Sequence, residues 1–226
     1  MIVLVDGDVI AYRAAFSAEG LSGDDATDKT DGIMGDIRFY AGAPEDTLEV
    51  FLTGKGNFRT KIDPTYKANR KDTPKPAHLK LVRDHLVKGW SAKVSKGEEA
   101  DDLIAIRAAK LDYQCVVVST DKDFKQLPCG HFNPTNGVKT TVSNWDATFF
   151  FYTQVLSGDR VDNVPGIMGI GPVKAARALA DCETEEALYD KALEMYGGDE
   201  DLVLKTARLL WLRRKEGELW LPPNQR

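Results

Sequence analysis

The sequence has little of what disulfide-linked, zinc-binding or membrane proteins need. Its three cysteines, Cys115, Cys129 and Cys182, fit neither a disulfide framework nor a zinc knuckle, and histidine occurs only three times. No apolar run approaches the length of a membrane span, and the first residues lack the basic flank of a signal peptide. We therefore expect no membrane partner and a cytoplasmic location.

Basic residues are outnumbered by acidic ones overall but are concentrated in one segment. The 226 residues carry a formal net charge of −5, which alone argues against a nucleic-acid partner. Residues 55–96, however, contain twelve basic and three acidic residues, a net charge of +9 that leaves −14 for the rest. This asymmetry suggests a polyanion held beside a carboxylate site, although a solvated basic surface accounts for the charge equally well.

Buried strands alternate with helices over most of the chain, which predicts an α/β fold with a doubly wound, mainly parallel sheet. The predicted strands are 1–5, 48–53, 92–94 and 115–119, with an edge hairpin at 132–142. The predicted helices are 9–18, 33–40, 77–87, 98–110, 144–156, 183–196 and 200–215. Residues 21–32, rich in Gly, Asp and Thr, are predicted to form a mobile surface loop.

Carboxylates collect where predicted strands end and where one predicted helix begins. The clusters are Asp6, Glu98 with Glu99, Asp101 and Asp102, the pair Asp121 and Asp123, and the pair Asp159 and Asp162. Acids at a helix start complement the helix dipole, but four so close repel unless they splay into water or hold a metal. In open α/β sheets the carboxyl ends of the strands are where ligands bind.

Oxygen ligands with few histidines or cysteines indicate Mg²⁺ or Mn²⁺. Two such ions about 4 Å apart can activate water and stabilise the leaving oxygen of a phosphodiester. Each acidic cluster alone is more simply explained as a helix cap or a solvated charge. Four clusters at these positions are not easily explained that way.

Two stretches have the chemistry of nucleic-acid binding. In residues 58–71, aromatic rings that can stack on bases alternate with Lys and Arg that can bind phosphates. In residues 157–174, glycines place backbone N–H groups at the start of a helix near Pro172 and Lys174, which suits a phosphodiester. The Walker pattern GxxxxGK[ST] is absent.

Five motifs, in order, resemble those of the flap endonuclease/5′-nuclease family: VDGDVIAYR, FRTKIDPTYKANRK, GEEADDLIA, STDKDF and GDRVDNVPGIMGIGPVKAA. Stand-alone phage 5′-exonucleases are the most similar branch in length and in the DPTYKANRK segment. The resemblance implies a PIN-like α/β domain with a helical arch and a helix–three-turn–helix DNA-binding element. It divides one compact domain into a nuclease core, 1–156, with the arch in 55–96, and a helical region, 157–226.

Matched position by position, the resemblance assigns Asp6, Glu99, Asp101, Asp121 and Asp123 to catalysis and metal binding. Asp159 and Asp162 match a pair that serves a second metal, and Asp102 is a supporting metal residue. Glu98 is left as a helix-end charge.

The resemblance also implies a set of DNA-binding residues: Arg59, Tyr66, Lys67, Arg70, Lys71, Gly166, Gly169, Gly171 and Lys174. Tyr66 would stack on the terminal base, and Lys67, with Arg70 beside it, would neutralise charge developing on the phosphate. The glycines match the helix–three-turn–helix, which in relatives grips duplex phosphates and often holds a K⁺ ion.

One position departs from the family pattern. Relatives carry an aspartate at the end of the second strand, where this chain has Thr53 and Gly54. We expect the metal at that place to be weaker, or to be served by a water or by Asp8, with reduced activity or a preference for Mn²⁺. Glu99 and Asp101 would then hold more of the first metal. A natural variant with full activity is the alternative.

The sequence thus predicts a monomeric, two-metal 5′-3′ exonuclease or 5′-flap endonuclease. It would act on DNA at 5′ ends, flaps and duplex junctions and leave 5′-phosphates; activity on RNA–DNA hybrids is left open. A phage origin, with action in the host cytoplasm, is inferred from the compact length. The alternatives are a DNA-binding protein of the same fold with a decayed nuclease site, and a PIN-type ribonuclease.

Overall fold

A six-stranded sheet lies at the centre of the computed structural model, which describes residues 1–44, 47–71 and 73–226. Its strands are β1 (Ile2–Asp6), β2 (Leu48–Lys55), β3 (Lys93–Lys96), β4 (Cys115–Val118), β5 (Gly130–Phe132) and β6 (Lys139–Thr141). They lie in the order β3-β2-β1-β4-β5-β6, and all pairs are parallel except β5 with β6. The predicted sheet and its edge hairpin are confirmed.

Helices cover both faces of the sheet because the side chains of each strand alternate between the faces. The first-half helices are α1 (Gly7–Ser17), α2 (Gly23–Ala41), α3 (Arg59–Ile62), α4 (Leu79–Gly89) and α5 (Ala100–Lys110). Val3 and Val5 of β1 face a core with α1, α2 and α4, whereas Leu4 faces a core with α5. Among the described residues, no helix combines the length and apolarity needed to cross a bilayer.

A second cluster of helices packs around Trp220, Phe151 and Tyr152. It contains α6 (Asn144–Ser157), α7 (Pro172–Leu179), α8 (Glu185–Met195) and α9 (Glu200–Leu210), with a two-stranded hairpin, β7 (Gly158–Asp159) and β8 (Val164–Pro165), between α6 and α7. The division of the chain near residue 156 stays a prediction.

The prediction of a loop at residues 21–32 is wrong, because this stretch forms the first half of α2. Ser22 and Asp25 form a reciprocal capping box at its start. Ala26, Thr30 and Met34, at helical spacing, are fully buried, and the Thr30 hydroxyl donates to the Ala26 carbonyl (2.8 Å). The Gly, Asp and Thr residues that suggested a loop occupy most of the other positions in this half of the helix.

In the basic segment, the helix predicted for 77–87 is α4 (Leu79–Gly89), and α3 and a 3₁₀ turn at Ala68–Arg70 precede it. Asp72, one of the acids counted in this segment, lies outside the described residues. The helix predicted for 200–215 ends at Leu210, after which Trp211 is extended.

A buried ion pair joins the basic segment to the start of α5. Arg59 is 1% exposed, and its guanidinium donates to both Asp102 carboxylate oxygens (2.6 and 2.9 Å) and to the carbonyls of Leu209 (2.8 Å) and Trp211 (2.7 Å). The predictions that Arg59 binds DNA and that Asp102 supports a metal are therefore corrected, because each group is committed to the other inside the protein. Both hold the fold together.

Glu98 also differs from its prediction as a helix-end charge. It is buried and forms an ion pair with Arg213 (3.2 Å), whose guanidinium lies 3.4 Å from the centre of the Phe58 ring. Arg59 lies over the same ring at 4.5 Å. Both guanidinium groups therefore lie against the Phe58 ring just before the chain enters α3.

We expect Arg59→Met to lower the free energy of unfolding by about 3–5 kcal/mol, because it leaves the Asp102 carboxylate buried without its partner. Urea denaturation measures this loss. Lys61→Met, an exposed residue of the same short helix, is the matched control and should change stability by less than about 0.5 kcal/mol. Equal, small effects of the two changes would contradict a structural role for the pair.

Candidate active site

The carboxyl ends of β1, β2 and β4 and the start of α5 surround a cleft of about 670 Å³. Four acids predicted to bind metal line it: Asp6, Glu99, Asp101 and Asp121. The cationic side chains in its wall are Lys67, Arg70, Lys75 and Arg83. The cleft thus combines the two kinds of group that a phosphodiester and a metal ion require.

Asp6 ends β1 and begins α1, so its carboxylate is held by the backbone of the next turn. Oδ1 accepts from the N–H groups of Asp8 (3.1 Å) and Val9 (3.2 Å), and Oδ2 accepts from the Ser119 hydroxyl (2.7 Å). Burial raises the pKa of Asp6 to about 7, with the Asp8 and Asp121 charges acting in the same direction. Among the described residues, no lysine or arginine forms an ion pair with Asp6.

Asp101 and Glu99, at the start of α5, have opposite electrostatic environments. Burial and the charges of Asp6, Glu99 and Asp121 raise the pKa of Asp101 well above its ordinary value. Burial also disfavours the ionised form of Glu99, but Lys67 and Arg59 outweigh it and lower the pKa of Glu99. Lys67 forms a hydrogen-bonded ion pair with Glu99 and lies 3.4 Å from Asp162.

The remaining predicted acids form a second group beside the cleft. Asp123 accepts from the Gln154 side-chain amide (2.7 Å), and burial, followed by the Asp121 charge, raises its pKa to about 7. Asp159 is buried and pairs with Lys122 (2.7 Å). Asp162 pairs with Arg70 (2.5 Å).

These donors suit a hard divalent cation. All are carboxylate oxygens. Asp6 is buried, Asp101 and Asp123 are half-buried, and all three lie beside like charges, a condition that a bound cation would relieve. Within the described ranges, however, no group of three or more acidic, histidine or cysteine side chains is arranged to hold an ion. Lys67 and Arg70 instead neutralise Glu99 and Asp162.

Tyr66 does not have the position that base stacking needs. Its side chain is buried in the helical cluster, at 6% exposure, and its hydroxyl donates to Glu99 or Asp162 (2.9 Å to each). The predicted stacking role is therefore wrong for this arrangement. Tyr66 instead links the two groups of acids.

The other predicted DNA-binding residues lie outside the cleft. Lys71 is exposed, Gly169 has a φ of +77°, Gly171 caps α7, and the Lys174 ammonium donates to the Gly169 carbonyl (3.0 Å). Gly166 has a packing role, because a Cβ there would lie 2.2 Å from the Ser157 carbonyl carbon.

Gly54 cannot be replaced by a larger residue without moving the backbone. A Cβ at this position would lie 1.9 Å from the carbonyl oxygen of Ser95 on the neighbouring strand. Thr53, beside it, uses its hydroxyl to accept the N–H of Ala100 at the start of α5 (3.0 Å). The end of β2 therefore anchors α5 and carries no carboxylate.

Asp8 takes a place at the end of β2 that the sequence only suggested. Its Oδ2 accepts the Thr53 N–H (2.9 Å), and Arg83 bonds both the Asp8 carboxylate and the Thr53 carbonyl. Asp8 lines the cleft together with Arg83, Lys75 and the exposed ring of Tyr12, and these last three were missed as site residues. For Tyr12 a signal existed, because it follows Asp8 by one helical turn.

A family model for the 5′-3′ exonuclease, N-terminal resolvase-like domain, matches residues 1–150. The chain belongs to this family. Among curated proteins, this exonuclease-family chain is 35% identical over 147 residues to "Flap endonuclease Xni" of Shewanella sp. (strain ANA-3), covering 59% of the chain and 56% of that relative. Flap endonuclease Xni of Shewanella baltica (strain OS223) is 34% identical over 137 residues, covering 54% and 52%. The chain thus spans about half the length of these relatives.

Solved structures show the same fold. The T5 D15 protein co-crystallised with metal ions has a TM-score of 0.74 at 18% identity, covering 92% of this chain and 88% of that one. The T5 5′-exonuclease with bound zinc has a TM-score of 0.73 at 20% identity, with the same coverage. The catalytic core of Rad2 in complex with DNA substrate has a TM-score of 0.53 at 14% identity, covering 90% and 70%. The predicted PIN-like fold of this exonuclease-family chain is confirmed.

We expect Asp101→Asn to stabilise the metal-free protein at pH 8. The raised pKa means that the folded state holds a proton which the unfolded state, with a carboxyl pKa of about 3.9, releases. Wild-type stability is therefore lost as pH rises from about 4 through the folded pKa, and the variant avoids that loss.

Thermal unfolding in EDTA at pH 4.5 and pH 8 measures this difference. The melting temperature of the variant should exceed that of wild type at pH 8 and approach it at pH 4.5. Asp28→Asn, on the exposed face of α2, is the control and should show no such pH dependence. A variant less stable than wild type at pH 8 would contradict the assigned repulsion.

Proposed function

We propose that this chain is a metal-dependent nuclease that hydrolyses DNA at 5′ ends and 5′ flaps and leaves 5′-phosphates. One observation carries the proposal: buried, mutually repelling carboxylates share a cleft with Lys67 and Arg70 from the basic segment. Carboxylates that held no cation would be a cost to stability without a function. The cationic wall provides what a phosphate needs.

The relatives support the same activity. The curated ones are named flap endonucleases, and solved neighbours include a T5 D15 flap endonuclease complex with DNA and metal ions and a Rad2 core with DNA substrate. Because the chain spans about half of each curated relative, their activity and substrates are proposed for it, not transferred. A divalent metal and DNA are the proposed cofactor and partner.

Asp6, Glu99, Asp101 and Asp121 would hold one metal ion, and Asp123, Asp159 and Asp162 a second. Mg²⁺ or Mn²⁺ bound there would supply an activated water and positive charge at the phosphodiester. Lys67, which pairs with Glu99, would bind a phosphate oxygen and neutralise the charge that develops on it. Arg70 holds Asp162 and orients this edge of the site.

Several finer features rest on the family resemblance alone. We propose K⁺ binding at the glycine-rich segment 166–171, action as a monomer in the cytoplasm, and RNA–DNA hybrids as further substrates. The decayed-nuclease alternative has less support, because Asp8 brings a carboxylate to the end of β2 where Gly54 has none. Weaker metal binding there, with a preference for Mn²⁺, stays a prediction.

We expect Asp121→Asn to reduce cleavage of flap DNA at least about 100-fold. The change removes a carboxylate of the cleft and so weakens binding of the metal ion that this carboxylate would hold. Duplex binding should survive. Gel assays with Mg²⁺ and anisotropy without it separate the two effects. Asp190→Asn, on the exposed face of α8, is the control, and undiminished cleavage by Asp121→Asn would contradict the site assignment.

Flap DNA, blunt duplex DNA and single-stranded RNA should be compared with wild type in the same assay. Cleavage of the DNA substrates, with RNA left intact, is expected. Binding without cleavage in either Mg²⁺ or Mn²⁺ would favour the decayed nuclease, and cleavage of RNA alone would favour the ribonuclease.

Asp8→Asn tests the carboxylate that lies at the end of β2. Gly54→Asp is unsuitable for this test because a Cβ at position 54 would clash with the Ser95 carbonyl. If Asp8 helps to bind metal, the Mg²⁺ concentration for half-maximal cleavage should rise about tenfold, as it does when a partner of a metal site is lost. Calorimetric titration with Mn²⁺ provides an independent readout. Unchanged metal affinity would show that Asp8 serves only to hold Arg83.

A further inference from the structure

Asp121 lines a second groove in addition to the active-site cleft. This hairpin groove, of about 310 Å³, lies between the turn Lys122–Gln126 and the β5–β6 hairpin. Its wall includes Lys125, His131, Asn133 and Asn136. Because Asp121 belongs to both spaces, a strand lying in the cleft can continue past it into the groove.

The hairpin groove has a cation available for a phosphate. Asp121 is the one acid among its described lining residues, whereas Lys122 and Lys125 are basic. Lys122 is held by Asp159. Lys125 is exposed and makes no ion pair within the described part of the chain, its ammonium lying 6.0 Å from the centre of the Phe150 ring.

Polar side chains of the groove are held in place by the hairpin itself. Asn133 Oδ1 accepts from the N–H groups of Thr135 (2.9 Å) and Asn136 (3.3 Å), and Asn136 Oδ1 accepts from Val138 N–H (3.1 Å). With both oxygens engaged, the two side-chain NH₂ groups have no hydrogen-bond acceptor among the described residues. They are fixed donors at the groove wall.

His131 adds an uncharged ring to the same wall. Burial lowers its pKa, and its Nε2 lies 2.9 Å from the Leu127 carbonyl, so Nε2 carries the proton and Nδ1 is an acceptor. The wall therefore combines a cation, fixed amide donors and a neutral ring. This combination matches the phosphate, sugar and base of a nucleotide.

We propose that the hairpin groove binds a nucleotide of the substrate strand next to the scissile phosphate. Lys125 binds its phosphate, and the amides of Asn133 and Asn136 bind its sugar or base. The groove lies between the turn Lys122–Gln126 and the β5–β6 hairpin, and we expect it to take a single strand. This inference rests on the proposed nuclease function, since the scissile phosphate is what places the strand beside Asp121.

Fluorescence anisotropy with Ca²⁺ in place of Mg²⁺ tests the proposal on a DNA hairpin with a 5′ single-stranded extension and on the same hairpin without it. Lys125→Ala should weaken binding of the extended DNA about fivefold to tenfold and lower the slope of log K against log salt by about 0.7. Binding of the blunt hairpin should not change. Lys125→Arg should restore binding of the extended DNA.

Lys110→Ala removes a lysine charge from the last residue of α5, at the end opposite to Glu99 and Asp101, and is the matched control that should leave both substrates unaffected. Asn136→Ala should weaken binding of the extended DNA without changing the salt slope, because it removes an uncharged donor. Lys125→Ala behaving as Lys110→Ala, or weakening both substrates equally, would overturn the proposal. Cleavage by wild type tests the nuclease function separately, because the binding measurement does not depend on cleavage.

Discussion

The buried pair of Arg59 and Asp102 is the interaction on which the acidic edge of the sheet depends. The Arg59 guanidinium contacts three parts of the chain at once: the first turn of α5, the end of α9 and the segment after it. A charge removed from water in this way stabilises a fold only when its partner and its other hydrogen bonds are all present. The positions of Glu99 and Asp101 are therefore set partly by residues more than a hundred positions later.

The site itself balances its charges with the protein's own cations. Lys67 and Arg70 neutralise Glu99 and Asp162. For Asp6, Asp101 and Asp123, burial and neighbouring carboxylates raise the pKa, and Lys122, 4.0 Å from Asp123, does not offset this. The acids are thus unequal, and the three with raised pKa values are those best suited to a divalent cation. Tyr66 couples the two groups, because its hydroxyl lies between Glu99 and Asp162.

Much of the fold and the location of the site could be predicted from the sequence, because strand hydrophobicity and the acids that follow it are local patterns. Most of the misses come from distant contacts, and one comes from a weak local pattern. Arg59 and Tyr66 occur among lysines and look exposed, yet their partners Asp102 and Glu99 lie far along the chain. Residues 21–32 looked like a loop because the buried stripe of Ala26, Thr30 and Met34 is weakly apolar. Arg83 depended on its contact with Asp8 across the sheet edge.

The bonds from Arg59 to the Leu209 and Trp211 carbonyls also determine when, during synthesis of the chain, the surroundings of the site are complete. A ribosome makes every acid of the cleft long before it makes residues 209–213, which complete the surroundings of Asp102. Until they emerge, Arg59 lacks two of its acceptors, and the start of α5 is incompletely anchored. The acidic site is therefore completed by a part of the chain that follows all of its acids.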